Sequence, residues 1–255
     1  MNLLRKLPSE KMKKYSDFFG RLIYRYLFFT FRPSRLIKTL VRKSYSQTGE
    51  DSIIGQLMSN TKRGIYVDVG CGHPLEGSNT LMFYEKNWRG LAIDANKKFR
   101  SVWKLIRPRD KFVNCSIKLT ESNPREFYSF YADVYSTFDK DRGLDLINQG
   151  LELKEIDYVP SKDLSELVRE FLSDTQECSI NLLSIDVEGL ELEVLRSFPF
   201  REYKPEIICV EELSSPIYEV TSVSEYLEKL GYILVAYTGL SSIYRLNAAL
   251  SIGRA

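Results

Sequence analysis

Residues 66–74 read YVDVGCGHP, an apolar run that meets an acid, two glycines and the only histidine of the chain. A strand ending in Gly70 and Gly72 turns sharply and lets another group approach its backbone. A dinucleotide-binding turn would continue G-x-G-x-x-G into a helix to hold a pyrophosphate. Here Pro74, Leu75 and Glu76 intervene before Gly77, and no P-loop lysine follows. Asp68, two residues before the first glycine, is unfavourable beside pyrophosphate but useful beside a positive centre. Asp94 lies 24 residues beyond Gly70, at the end of the next apolar run, where a carboxylate accepts hydrogen bonds from ribose hydroxyls. The ligand that satisfies both is a nucleoside with a cationic tail, and S-adenosylmethionine is such a molecule.

Outward from this turn, short apolar runs alternate with helical patterns. Strands are expected at 64–70, 90–94, 111–117, 181–187 and 206–212, and their near-continuous hydrophobicity suits strands covered on both faces. Helices are expected near 50–59, 78–87, 96–106, 163–173, 189–198 and 223–230. Such alternation predicts a doubly wound, mostly parallel α/β sheet. At the end, YILVAYTG and SSIYRLN are separated by a short turn and predict an antiparallel hairpin that leaves one antiparallel edge strand.

The net charge of +2 hides an asymmetry. Residues 1–43 carry twelve basic and two acidic side chains, which leaves 24 basic and 32 acidic for the rest. The boundary is therefore placed at Ser44, with a basic amphipathic helical arm over 1–43 and the main domain over 44–255. Met12, Tyr15, Phe19, Leu22, Tyr26 and Phe29 recur at spacings of three and four and form an apolar stripe. Arg21 and Arg25 interrupt the apolar run, so it reads neither as a secretory signal nor as a membrane span. The arm suits packing on the protein itself or on a second subunit, or lying on an anionic membrane surface. Nucleic acid is disfavoured because the body is acidic. Four scattered cysteines read as free thiols of a reducing compartment, and the expected location is cytoplasmic, with a peripheral membrane position open to the arm.

In a doubly wound sheet, ligands bind beyond the carboxyl ends of the strands. Asp68, Asp94, Asp186, Glu188, Glu211 and Glu212 all fall there. One such acid is ordinarily a helix cap or a solvated loop residue; six in strand order point to a shared site. Oxygen ligands of this kind would suit Mg²⁺, although acids near a helix start are favoured by the dipole alone, and no metal ligand is assigned. A single histidine excludes His-rich metal sites.

With YSQTGEDSI, STF, VPSKDL, LLSIDVEGLELEVL, PEIICVEE and GYILVAYTGLSSIYR added to the long motif that begins YVDVGCGHPLEGSN, the chain resembles the FkbM family of S-adenosylmethionine-dependent methyltransferases from about Tyr45 to Asn247. The first 43 residues match none of its motifs. The resemblance implies a Rossmann-like, seven-stranded methyltransferase, usually one that O-methylates a sugar, glycan or other hydroxylated metabolite. It implies that Asp68, Gly70 and Gly72 face the methionine part of the cofactor. Asp94 would hold the ribose, and Asn114, Cys115 and Ser116 would lie near the adenine. Gln47, Glu50 and Asp51 would border the cofactor and substrate cleft, and Asp186 would lie near the reacting methyl. Ser136, Thr137 and Phe138, in the aromatic stretch EFYSFYADVYSTFDKD suited to a lid over a sugar or to an ordinary edge strand, are the substrate-facing candidates, together with Asn79.

Methyl transfer from a sulfonium is an in-line displacement, so the protein's work is to position the acceptor and remove its proton. His73 is a candidate base, although a histidine before proline also suits loop bracing; Asp186 and Glu188 compete for the role. Two other classes share the pattern: a nicotinamide-dependent oxidoreductase on the same fold, and a non-catalytic binding protein docked through its basic arm.

Overall fold

The computed structural model describes residues 44–247 apart from 120–123, 133–134, 188, 213, 215 and 218. The expected arm over 1–43 and Glu188 thus lie outside the described residues.

The elements follow in chain order as α1 (Glu50–Leu57), β1 (Ile65–Val69), α2 (Leu81–Glu85), β2 (Arg89–Asp94), α3 (Phe99–Ile106), β3 (Lys111–Asn114), β4 (Ser116–Ile117), β5 (Arg125–Phe130), α4 (Lys140–Asn148), β6 (Leu153–Val159), β7 (Ser161–Lys162), α5 (Leu164–Thr175), β8 (Leu182–Ile185), α6 (Glu191–Ser197), β9 (Ile207–Glu211), α7 (Ser222–Lys229), β10 (Tyr232–Tyr237) and β11 (Ser241–Leu246). Seven strands form one sheet in the order β10-β11-β9-β8-β1-β2-β3. The run from β9 to β3 is parallel throughout. This is the doubly wound, Rossmann-like architecture that the alternation predicts.

Side chains of β1 leave on alternate faces, and all five are buried. Ile65, Val67 and Val69 join Leu164, Val168 and Phe171 of α5, Leu195 of α6 and Leu227 of α7. Tyr66 joins Ile54 of α1 with Leu81, Phe83 and Tyr84 of α2. Phe99 and Trp103 of α3 pack on Ala92. Each large apolar side chain buried this way contributes roughly 1.5–3 kcal/mol. The same alternation turns Asp68 toward the α1–α3 face instead of straight out of the strand end.

The expected antiparallel edge strand is corrected. β11 is antiparallel to both β9 and β10, yet it lies between them, and β10 forms the edge. After α7 the chain passes one position outward into β10, and the hairpin then returns to fill the space beside β9.

The expected strand over 111–117 breaks at Cys115. β3 stops at Asn114, and β4 leaves the sheet to pair with β7. In the chain between β4 and β7 lies a further strand pair that the expected strands do not include. β5 and β6 form an antiparallel hairpin, and α4 covers Tyr128 and Phe130 with Leu146. Asp139 caps α4 by accepting the Arg142 N–H at 3.1 Å. The β6 sequence LKEIDYV places charges on both faces, which masks its period of two. Gly143 lies where a β-carbon would come within 2.8 Å of the Tyr128 ring, so close packing puts a poor helix former in α4.

Candidate active site

The chain runs outward from β1 to β3 and then returns to place β8 on the other side of β1. The crevice between β1 and β8 is therefore the topological switch point. Gly70 closes its floor. It has φ +78°, and its amide and that of Cys71 donate to Ile93 O at 2.9 and 3.1 Å. Gly72 has φ +50°, and a β-carbon there would meet nothing within 4 Å. Its bare face thus looks onto open space beside Asp94.

Asp94 accepts the Gly72 N–H at 2.7 Å on one oxygen and the Asn96 N–H at 2.7 Å on the other. Burial raises its pKa from 3.8 to about 6 against the pull of these two donors. Carboxylate oxygens have further lone pairs, so a diol can be bound without breaking either bond. Asn114 Nδ2 donates to Asp94 O and Ala95 O, which fixes the neighbouring strand end. Open space at Gly72, an acid at the end of β2 and a glycine-lined floor fit the nucleoside and sulfonium of S-adenosylmethionine.

Asp68 is 5% exposed. Its carboxylate accepts the Thr80 hydroxyl at 2.6 Å, on the side of the buried Arg107. Burial raises its pKa; the Thr80 hydroxyl, Arg107 and the Ser184 hydroxyl oppose that shift. Asp68 is thus held within the fold behind the glycine turn. Thr80, Ser184 and Arg107 carry no motif that sequence reading would single out; only the fold brings them to Asp68.

His73 Nδ1 accepts the Leu75 and Glu76 amides, both at 3.3 Å. The ring braces its own loop, and the neutral tautomer that does so carries its proton on Nε2. Asp186 follows β8, half-buried, with its amide donating to Val69 O at 2.9 Å. Asn79 Nδ2 reaches Ser184 Oγ at 3.2 Å, between the ends of β1 and β8.

Asp51 is fully buried and accepts the Ser44 hydroxyl, the Tyr45 amide and the Ser46 hydroxyl, shaping the entry loop. Glu50 accepts the Thr48 amide and hydroxyl and the Thr238 hydroxyl; burial opposes the lowering of its pKa, which those Thr48 bonds produce. Gln47 is exposed and lies against Gly77. Cys115 and Ser116 are buried, and the Ser116 hydroxyl pairs with Ser161 at 2.9 Å. All four cysteines are free, and only Cys178 is exposed.

Thr137 bridges Tyr128 through both backbone bonds, Ser136 Oγ accepts the Phe130 amide, and Phe138 packs on Phe127 at 4.8 Å. These three residues form an added edge of the hairpin. Lys97, in the loop after β2, pairs with Glu155 and Asp157 of β6 and so ties the hairpin to the Asp94 loop.

The Mg²⁺ reading gains no support from the described residues. Among the described residues no group of three or more His, Cys, Asp or Glu side chains is placed to hold a metal. Glu212 instead accepts the Thr221 and Tyr244 hydroxyls at 2.5 and 2.7 Å. No helix among the described residues is long and apolar enough to cross a membrane.

Residues 68–234 match the family model described as the methyltransferase FkbM domain. No curated protein gives a match. Solved structures with loose likeness include a TehB-like S-adenosylmethionine-dependent methyltransferase from Corynebacterium glutamicum, at 12% identity over 92% of this chain and 100% of that one, with a TM-score of 0.39. Another is the precorrin-6y C5,15-methyltransferase from Geobacter metallireducens, at 13% identity over 82% and 93% of the two chains, with a TM-score of 0.40. The family match alone carries the assignment.

Proposed function

The chain belongs to the FkbM methyltransferase family, and on that premise we propose that it methylates a hydroxyl of a sugar, glycan or other hydroxylated metabolite. Asp94 carries the reading: a half-buried carboxylate at the end of β2, its oxygens aimed by Gly72 and Asn96, beside an open glycine face. Asp94 would bind the ribose hydroxyls, and Gly70 and Gly72 would leave room for the methionine arm. Asn114 would border the adenine. S-adenosylmethionine supplies an electrophilic methyl group on a sulfonium whose departure as a thioether needs no acid.

The acceptor hydroxyl needs a base. Asp186 is favoured because it stands at the switch point, just past the end of the strand that pairs with β1. His73 is less suited, since its acceptor nitrogen already serves the Leu75 and Glu76 amides. Its Nε2–H would orient an acceptor oxygen. Asn79 and the hairpin residues Ser136, Thr137 and Phe138 would border the acceptor. The arm over 1–43 would keep the domain near anionic membrane surfaces and the glycans assembled there.

Calorimetry with S-adenosylhomocysteine, followed by transfer of labelled methyl from S-adenosylmethionine to a panel of hydroxylated acceptors, tests the proposal. Binding with transfer to oxygen is expected. Transfer only to nitrogen or carbon acceptors would refute the O-methylation reading.

A further inference from the structure

We propose that Trp103 and Arg107, one turn apart at the end of α3, are positioning residues that hold the glycine loop in its cofactor-binding shape. The inference rests on the methyltransferase reading above. Both side chains are fully buried, so neither can touch a ligand, and both act through the loop.

Gly72 is gripped at both ends of its residue. Its N–H donates to Asp94 at 2.7 Å, and its carbonyl accepts the Trp103 indole Nε1–H at 2.8 Å. Two residues on, the Pro74 carbonyl accepts Arg107 Nε at 2.9 Å. The two side chains thus clamp the backbone on either side of His73. The Arg107 guanidinium lies 4.4 Å from the Trp103 ring centroid, so the indole that holds Gly72 also supports the cation that holds Pro74.

The other nitrogens of Arg107 extend the clamp. Nη1 donates to Thr80 Oγ1 at 2.8 Å and Nη2 to Ser78 Oγ at 2.6 Å. Thr80 in turn donates its hydroxyl hydrogen bond to Asp68 at 2.6 Å. Asp68 behind the glycine turn, Gly72 within it and Asp94 beside it are therefore linked, directly or through one intermediate residue, to Trp103 and Arg107. Burying a guanidinium is costly, and an apolar side chain of similar volume would fill the space without that cost. What an apolar residue lacks is a planar fork that fixes a carbonyl and two hydroxyls at once; lysine lacks the fork as well.

The chain has two tryptophans, which makes the clamp observable. Trp88 Nε1 has no hydrogen-bond partner, and Trp88 precedes β2 at the end opposite Asp94, about 20 Å away along the strand. In a nitrogen–proton correlation spectrum of the full chain, the indole signal lost in Trp103→Phe identifies Trp103. Adding S-adenosylhomocysteine to the wild type should shift that signal and leave that of Trp88 in place. Trp103→Phe keeps a ring but removes the donor to Gly72. It should unfold cooperatively without ligand and bind S-adenosylhomocysteine about tenfold more weakly, the equivalent of one lost hydrogen bond. A purely structural role would lower thermal stability and leave the dissociation constant unchanged. If the wild type binds but the Trp103 signal stays still, or if the variant binds with wild-type affinity, the clamp does not position the loop. Failure of the wild type to bind at all refutes the methyltransferase reading, and this inference with it.

Discussion

The backbone carbonyl of Asp186 occupies the space that a side chain on Gly70 would need: a β-carbon there would stand 1.6 Å from that oxygen. The contact joins the ends of β1 and β8 at the switch point, where the Asp186 amide also donates to Val69 O. Gly70→Ala must open this seam and also hold alanine at φ +78°. The expected loss is about 3–5 kcal/mol, from left-handed backbone and overpacking together. Gly72→Ala meets no atom within 4 Å, so its stability cost should stay near 1–2 kcal/mol while cofactor affinity falls. Denaturant melts of the two variants check the contrast; equal losses would contradict it.

Asp94 should make cofactor binding depend on pH. Burial lifts its folded pKa to about 6, from 3.8. The neutral acid is the form that burial favours, so the group's contribution to stability is fully present below about pH 4 and is lost as pH rises through 6. Binding runs the other way, because the charged form accepts the ribose hydroxyls more strongly. Affinity for S-adenosylhomocysteine should rise between pH 5 and 7, and that rise should vanish in Asp94→Asn. Calorimetry at three pH values measures it; a flat wild-type profile would remove Asp94 from the site.

The main sheet was legible because β1, β8 and β9 are apolar on both faces and the glycine turn interrupts them cleanly. Asp68 and Asp94 were likewise visible, but their environments were not. Asp68 is set by Thr80, Ser184 and Arg107, which are distant in sequence and unremarkable in type. The position of β11 was misread because a short turn shows that two strands pair, not which of them lies inside. The hairpin unit escaped because β6 carries charges on both faces, which masks its period of two, and because Gly143 weakens the helical signal of α4.

Asp186→Asn should lower turnover by about 10²–10⁴, the usual contribution of a general base, while S-adenosylhomocysteine still binds. His73→Ala should act differently. It removes the acceptor for the Leu75 and Glu76 amides, so the Michaelis constants should rise more than turnover falls. Steady-state kinetics with a responsive acceptor separate the two. Loss of the basic limb of the pH profile in His73→Ala, with Asp186→Asn fully active, would reverse the assignment.

Arg107→Met should destabilise the protein strongly at pH 8 and much less at pH 5. The guanidinium lies 3.9 Å from Asp110, whose pKa burial raises to about 6, and it also opposes the rise in the pKa of Asp68. Without it, two buried carboxylates lose their counter-charge, a loss of about 3–5 kcal/mol when they are ionised. As the pH falls they take up protons, Asp110 from about 6 downward, and the penalty fades. Chemical denaturation at both pH values measures the difference; an equal loss at each would show that packing, not charge, is what Arg107 supplies.

Removal of residues 1–43 should leave a folded domain that binds S-adenosylhomocysteine as the full chain does, because every cofactor candidate lies beyond Ser44. What should change is membrane attachment. The segment holds twelve basic and two acidic side chains together with an apolar stripe at helical spacing. Each basic residue near an anionic bilayer contributes about 1 kcal/mol, and only those on the lipid-facing side of a helix contribute together. The full chain should float with anionic vesicles at low salt, detach as ionic strength shortens the Debye length, and bind neutral vesicles weakly. The truncated protein should stay with the unbound fraction throughout. Full-length protein that ignores anionic vesicles at low salt would refute membrane attachment, and a change of oligomer on truncation would then identify the segment as a subunit contact.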